Sequence, residues 1–265
     1  MTNGKQEWWS PEYKFFGEFY MTGDNSLEGY LDERKMTIEE RTKRDVNGII
    51  ALLGLGGCER ILDIPCGYGR HSIRLATMGY KVVGSDINED CLDIAMKDPS
   101  NLEVEVDFRL ENMIDIKYNE EFDAVINMCY SFGFFEKDED NFKVLQNFCR
   151  AIKPGGKFLM HTDVNIPRIQ AGAYKEHEFR HLVGGGILEV EDKYNLMNRR
   201  MEGSWTIIKP DGTGQRKNYS VRVYEADEFC GLCIQAGFRE ATAFSSWEGA
   251  LYNPYSEEIM FVAKK

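Results

Sequence analysis

The stretch Ile61-Leu62-Asp63-Ile64-Pro65-Cys66-Gly67-Tyr68-Gly69-Arg70-His71 constrains this chain more than any other. An apolar run feeding a glycine turn that opens a helix is how an open α/β sheet offers backbone to a nucleoside ligand. The two glycines admit an approach that side chains would block. A second apolar run, Val82-Val83-Gly84-Ser85, ends in Asp86, about twenty residues past the turn. A carboxylate there is placed to accept hydrogen bonds from both hydroxyls of a ribose. A dinucleotide turn needs one more glycine, but Ser72 stands in its place and Pro65 precedes Cys66, which weakens the case for a pyrophosphate seat.

Strand and helix patterns then alternate over 60–64, 71–78, 81–85, 88–96, 104–110, 122–128, 139–152 and 157–162. Each parallel return requires a crossover, so the rhythm predicts a doubly wound, mostly parallel sheet. Ahead of it, residues 7–55 are helical in pattern, with Trp8, Trp9, Tyr13, Phe15, Phe16, Phe19 and Tyr20 crowded at the start. Thr37 with Glu40 forms a capping box, Val46, Ile49, Ile50 and Leu53 recur at helical spacing, and Gly54 and Gly56 end the helix. Between Ile187 and Tyr224 apolar and polar residues alternate singly, and Pro210-Asp211-Gly212 makes a turn, which predicts an antiparallel insertion of about three strands. Its expected work is to cover a substrate or to dimerise the protein. No proline- or serine-rich linker divides the chain, so one core is expected over 57–265, with 1–56 as an N-terminal helical segment or lid and 166–224 as the insertion.

These residues resemble the class I S-adenosylmethionine-dependent methyltransferases. Their first motif reads hydrophobic-Asp/Glu-x-x-x-Gly-x-Gly, and Leu62 through Gly69 fits it with Pro65 in place of the usual first glycine. Glu111-Asn112-Met113 falls where the family sets a polar residue on the adenine amino group and an apolar one on the ring. Phe122 through Asn127 resembles the fourth strand, and Asn127 through Gly133, with Cys129 and Phe132, the loop under the methionine moiety. Lys153-Pro154-Gly155-Gly156-Lys157 resembles the turn into the fifth strand; Gln235 through Phe238 and Ile259 through Ala263 resemble the last helix and hairpin. The resemblance implies a Rossmann-like seven-stranded sheet and S-adenosyl-L-methionine as cofactor. It implies cofactor contacts at Asp63, Pro65, Gly67, Gly69, Arg70, Asp86, Ile87, Asn112, Met113, Asn127, Cys129 and Phe132. Small-molecule methyltransferases similar to this chain carry such a strand insertion after the fifth strand.

Methyl transfer is an in-line displacement in which the cofactor supplies the leaving group, so the protein mainly aligns and desolvates. An acceptor amine must arrive neutral and a hydroxyl needs help losing its proton. The candidates for that help are His161, after the fifth strand, and Tyr20, in the aromatic N-terminal segment. His161 is a general base or a hydrogen-bonded core residue, and Tyr20 an acceptor-orienting hydroxyl or a core aromatic. His71 is expected to brace the glycine loop. Strand alternation sets Asn218, Ser220, Arg222 and Tyr224 on one face, and Arg222 is either a clamp for an anionic acceptor group or a salt-bridge partner.

Other classes fit less well. A net charge of −12 opposes a nucleic-acid substrate, which needs clustered Lys and Arg. Residues 1–7 lack the pattern of a signal peptide and no window reaches the length of a membrane span, so a cytoplasmic enzyme without a membrane partner is expected. The seven cysteines read as reduced thiols, and Cys230-Gly231-Leu232-Cys233 as helix core. His177-Glu178-Phe179-Arg180-His181 imitates a zinc-protease string but has no downstream ligand in a recognisable spacing, so no metal is expected. The leading expectation is N- or O-methylation of a small molecule. The alternatives are an NAD(P)-dependent oxidoreductase, or a catalytically silent S-adenosylmethionine-binding protein.

Overall fold

A computed structural model describes residues 6–28, 36–98 and 104–265. After a stretch of turns comes the short helix α1 (Glu18–Asp24), followed by α2 (Ile38–Leu53). The Thr37 hydroxyl accepts the Glu40 amide and the Glu40 carboxylate accepts the Thr37 amide, so two orphan donors at the start of α2 are satisfied reciprocally. Left-handed Gly54 closes that helix. Next come β1 (Arg60–Asp63), α3 (Arg70–Thr77), β2 (Lys81–Asp86), α4 (Glu89–Lys97), β3 (Val106–Leu110), β4 (Phe122–Asn127), α5 (Asp138–Ala151) and β5 (Ile152–Thr162). The seven-stranded sheet has the order β10-β11-β5-β4-β1-β2-β3, in which β10 (Glu240–Phe244) and β11 (Ile259–Lys264) form the terminal hairpin and β11 runs antiparallel to β5. Because β1 pairs with both β2 and β4, the order reverses beside it, and the crevice at that reversal is where such sheets seat ligands.

Each face of the sheet buries one apolar layer. Val46, Ile49 and Leu53 of α2 meet Leu75 of α3 and Leu159 of β5 on one side. On the other, Leu145 and Phe148 of α5 meet Phe158, Phe261 and Phe229. Phe229 belongs to α7 (Ala226–Ala236), as does Cys233, which is likewise fully buried. Each fully buried Phe is worth about 1.5–3 kcal/mol over exposure. The helix α2, expected with the lid, is thus part of this main core. The expected turn over 153–157 is taken up as an irregularity within β5, where the pairing shifts from Phe122 with Ile152 to Ala124 with Lys157.

After β5, α6 (Ile166–Gln170) leads into a separate antiparallel sheet of four strands, one more than expected: β6 (His177–His181), β7 (Ile187–Asn195), β8 (Arg200–Ile208) and β9 (Gly214–Arg222). The extra strand is the zinc-protease-like string. As a strand it holds its two histidines roughly 13 Å apart, too far for one ion; they pair instead with Glu189 and Glu28. One face of this sheet buries Leu188, Val190 and Ile207 against Phe15 and Phe19 of the N-terminal segment.

Candidate functional site

The carboxyl ends of β1 to β4 face the inserted sheet across a cavity of about 530 Å³, within the range that holds a small ligand. On the parallel-sheet side it is lined by Pro65 and Gly67 after β1, Asp86 and Ile87 at the end of β2, Asn112 and Met113 after β3, and Cys129 after β4. Asp86 ties this wall together: one carboxylate oxygen accepts the Gly67 amide at 2.8 Å and the other the Asn88 amide at 2.8 Å. Burial pushes its pKa up to about 6 against the amides of Asn88, Gly67 and Ile87. Gly67 sits at φ +55° with open space where a Cβ would stand. Gly69, at φ +79°, does not line the cavity. A Cβ there would lie 2.8 Å from Ala95 and 2.9 Å from the Phe108 ring, so this glycine serves the packing of α3.

Two guanidinium groups stand beside this wall. Arg70, at the start of α3, and Arg41, from α2, both donate to the Cys129 sulfur, at 3.0 and 3.2 Å. Burial resists ionisation of the thiol, but Arg41, Arg70 and His161 outweigh it and lower its pKa. Cys129 and Tyr130 adopt φ of +57° and +60°, an uncommon conformation for such residues, where the chain turns out of β4. Beneath lies Asp45, fully buried and paired with Arg44 at 2.8 Å, His71 at 3.3 Å and Arg70 at 3.5 Å. Burial, with help from Arg70, depresses His71 to about 4, so it is a neutral brace at pH 7. The Asp45, His71 and Cys129 ligand atoms lie within 4.8 Å of one another, but the guanidinium groups already supply positive charge there. Arg41 also donates to Asp24 at 3.3 Å, and Asp24 accepts the Tyr68 hydroxyl at 2.8 Å.

The opposite wall comes from the inserted sheet: Val190 and Asp192 of β7, Trp205 of β8, and Tyr219 and Val221 of β9. Tyr20 bridges the walls, its ring stacked on Trp205 at 5.2 Å. Burial, then the Asp24 carboxylate, push its phenol well above the usual range, so it stays protonated. Trp8 packs on Phe134 and Trp9 on Phe135, and all four line the cavity.

Several expected site residues stand elsewhere. Asp63 is buried behind the turn, accepting the Ser72 hydroxyl at 2.6 Å, and burial raises its pKa to about 7. Asn127 faces the backbone, donating to the Ile64 carbonyl at 2.8 Å and bracing the first turn from β4. Phe132 is core, packed on Tyr224 and Phe229. His161 lies outside the cavity lining, stacked on Trp247 and 3.1 Å from Glu258. Burial alone would lower its pKa, but Cys129 and Glu258 hold it up at about 10, which makes it a poor proton acceptor at neutral pH. Arg222 is also turned away. Its guanidinium meets Glu228 at 2.8 Å, Asp138 at 3.3 Å and the Tyr224 ring, because Tyr219 and Val221, not the Arg222 face of β9, point into the cavity.

The reading from sequence missed Arg41, Asp24, Asp192 and Trp205. Arg41 follows the capping-box Glu40 directly, but helical spacing says nothing of a sheet packed above it. Asp192 interrupts the alternation Leu188, Val190 on the cavity face, and a polar residue at an apolar position was the available signal.

Known proteins resemble this chain in sequence and in fold. Residues 61–156 match the model of a methyltransferase domain. The 27-O-demethylrifamycin SV methyltransferase of Amycolatopsis mediterranei is 28% identical over 256 residues, covering 92% of this chain and 90% of that protein. A solved S-adenosylmethionine-dependent methyltransferase from Clostridium acetobutylicum shares the fold with a TM-score of 0.70 at 13% identity, over 84% of this chain and 91% of that one. The S-adenosylmethionine-bound amino pentose methyltransferase CalS10 from Micromonospora echinaspora does so at 0.64 and 17%, over 87% and 92%.

Proposed function

We propose that this chain, a class I S-adenosylmethionine-dependent methyltransferase, holds its cofactor against the strand-end wall of the cavity and a small-molecule acceptor against the inserted sheet. The observation that carries the reading is the cavity between the two sheets, with Asp86 and open Gly67 on one side and an aromatic wall on the other. The residues fit the cofactor. Asp86 stands in the cavity wall as an acceptor for the ribose hydroxyls, and Gly67 leaves room for close approach. Ile87 and Met113 offer apolar contacts to the adenine. The Asn112 side-chain oxygen accepts the Ile114 amide at 3.2 Å and has a second lone pair for the adenine amino group. Arg41 and Arg70 present planar donors suited to the methionine carboxylate.

S-adenosylmethionine, when bound, supplies a methyl group on a sulfonium that is a good leaving group. The chain contributes alignment and dryness: Tyr20 on Trp205, and Trp8 and Trp9 on Phe134 and Phe135, close the cavity with rings. Protonated Tyr20 acts as a donor that orients an acceptor, not as a base. An acidic protein of this charge suits a small acceptor better than nucleic acid. Among the described residues no helix is long and apolar enough to cross a membrane. All seven cysteines are unpaired, which supports a reducing compartment such as the cytoplasm.

Calorimetry tests the reading. S-adenosylhomocysteine should bind and NAD should not, and methyl-labelled S-adenosylmethionine with a metabolite panel should yield a labelled small product. Binding of NAD with no binding of S-adenosylhomocysteine would overturn it.

A further inference from the structure

The acceptor end of the cavity holds one carboxylate whose surroundings differ from those of its neighbours. Asp192 accepts the Tyr174 hydroxyl at 2.9 Å on one oxygen and the Tyr219 hydroxyl on the other. Among the described residues no Lys, Arg or His nitrogen pairs with it, whereas nearby Glu178 has Arg180. Both phenols spend their protons on Asp192. A third phenol, Tyr130, also lines the cavity; its hydroxyl is buried without a hydrogen-bond partner and lies in the field of Asp192 and Asp163. A buried polar group is rarely left unpaired unless something else fills the place.

From this geometry we infer that Asp192, Tyr130, Tyr174 and Tyr219 form the binding site for a protonated amine on the acceptor. An ammonium group supplies the missing positive charge, donates to Asp192 and to the Tyr130 oxygen, and lies against aromatic faces that favour cations. A hydroxyl acceptor brings no charge and leaves the carboxylate uncompensated. Burial raises Asp192 to about 6, so it is mostly ionised at pH 7.5 and carries the charge that an ammonium group balances. The inference deepens the proposed methyltransferase reading and rests on it: it names the acceptor class as amine-bearing small molecules.

The test is calorimetry or ligand-observed NMR at pH 7.5 on the full chain saturated with S-adenosylhomocysteine, comparing benzylamine with its neutral isostere benzyl alcohol. Benzylamine should bind roughly 10-fold or more tightly than the alcohol, as expected for a charge-assisted hydrogen bond. Asp192→Asn should erase that preference with S-adenosylhomocysteine affinity unchanged, and Tyr130→Phe should weaken benzylamine several-fold. If Asp192→Asn does not fold, Tyr130→Phe decides. Equal binding of the two probes, no saturable binding of the amine, or an undiminished preference in the variants would overturn the inference. Failure of S-adenosylhomocysteine itself to bind would contradict the underlying methyltransferase reading instead.

Discussion

The two walls of the cavity are built from different materials. The parallel-sheet wall is largely backbone: turns leave the strand ends, Asp86 accepts one amide from the turn after β1 and one from the turn after β2, and Gly67 keeps a side chain out of the way. The inserted wall is side chains on an extended face, with Trp205, Tyr219 and Asp192 held by packing and by one another. A wall of backbone is fixed before any ligand arrives and tolerates little change. A wall of side chains can be re-cut without moving the backbone of the other wall. The two should therefore respond to mutation in separable ways.

The largest separation is expected for Gly67→Val, whose branched side chain enters open ligand space at a positive φ. S-adenosylhomocysteine affinity should fall by about 1000-fold or more, or about 4 kcal/mol, in a calorimetric titration. Arg222→Ala sharpens the other side. It breaks a partly buried ion pair that anchors β9 to α7 while Glu228 keeps Arg199, so denaturant unfolding should show a loss of about 1–2 kcal/mol. Cofactor affinity should hold. An unchanged stability with a raised acceptor KM would return Arg222 to substrate binding. Tyr20→Phe removes only a hydroxyl, and turnover should drop about 10-fold with cofactor affinity within twofold. Equal loss in both would assign Tyr20 to the cofactor wall.

The smallest expected effect is on pH dependence. Burial opposes charge on both His161 and Glu258, yet Cys129 and Glu258 raise the histidine to about 10, and His161 and Arg44 lower the carboxylate to about 2. A raised folded-state pKa stabilises below the unfolded value of about 6.5 and is lost as pH climbs toward 10. A lowered one stabilises above about 4.5 and is lost as pH falls toward 2. Thermal stability should thus peak between these limits, and His161→Asn should flatten the alkaline fall. An identical slope in the variant would show that the pair stays neutral.

The same contrast explains what could be read from the sequence. Glycine turns, strand-end acids and the Thr37 capping box are local, so Gly67, Asp86 and the start of α2 were legible from neighbours alone. Orientation across sheets is not local. Gly67 and Gly69 look alike in the chain, yet one faces open space and the other the Phe108 ring. Alternation separates Arg222 from Tyr219 and Val221 correctly and leaves clamp or salt bridge open, because it says nothing of which face the N-terminal aromatics will cover. Asn127 and His161 sit at strand ends where ligands bind, but strand pleating turns them to backbone and to Glu258.

The central claim is that cofactor and acceptor occupy opposite walls. Titrating S-adenosylhomocysteine into the unmodified chain, Asp86→Ala and Asp192→Asn tests it most directly. Asp86→Ala should weaken binding by about 100-fold or more, since two charge-assisted hydrogen bonds at about 1.5–3 kcal/mol each are lost, and Asp192→Asn should bind as the unmodified chain does. Normal affinity in Asp86→Ala, or an equal loss in both variants, would contradict the division of the cavity into two walls.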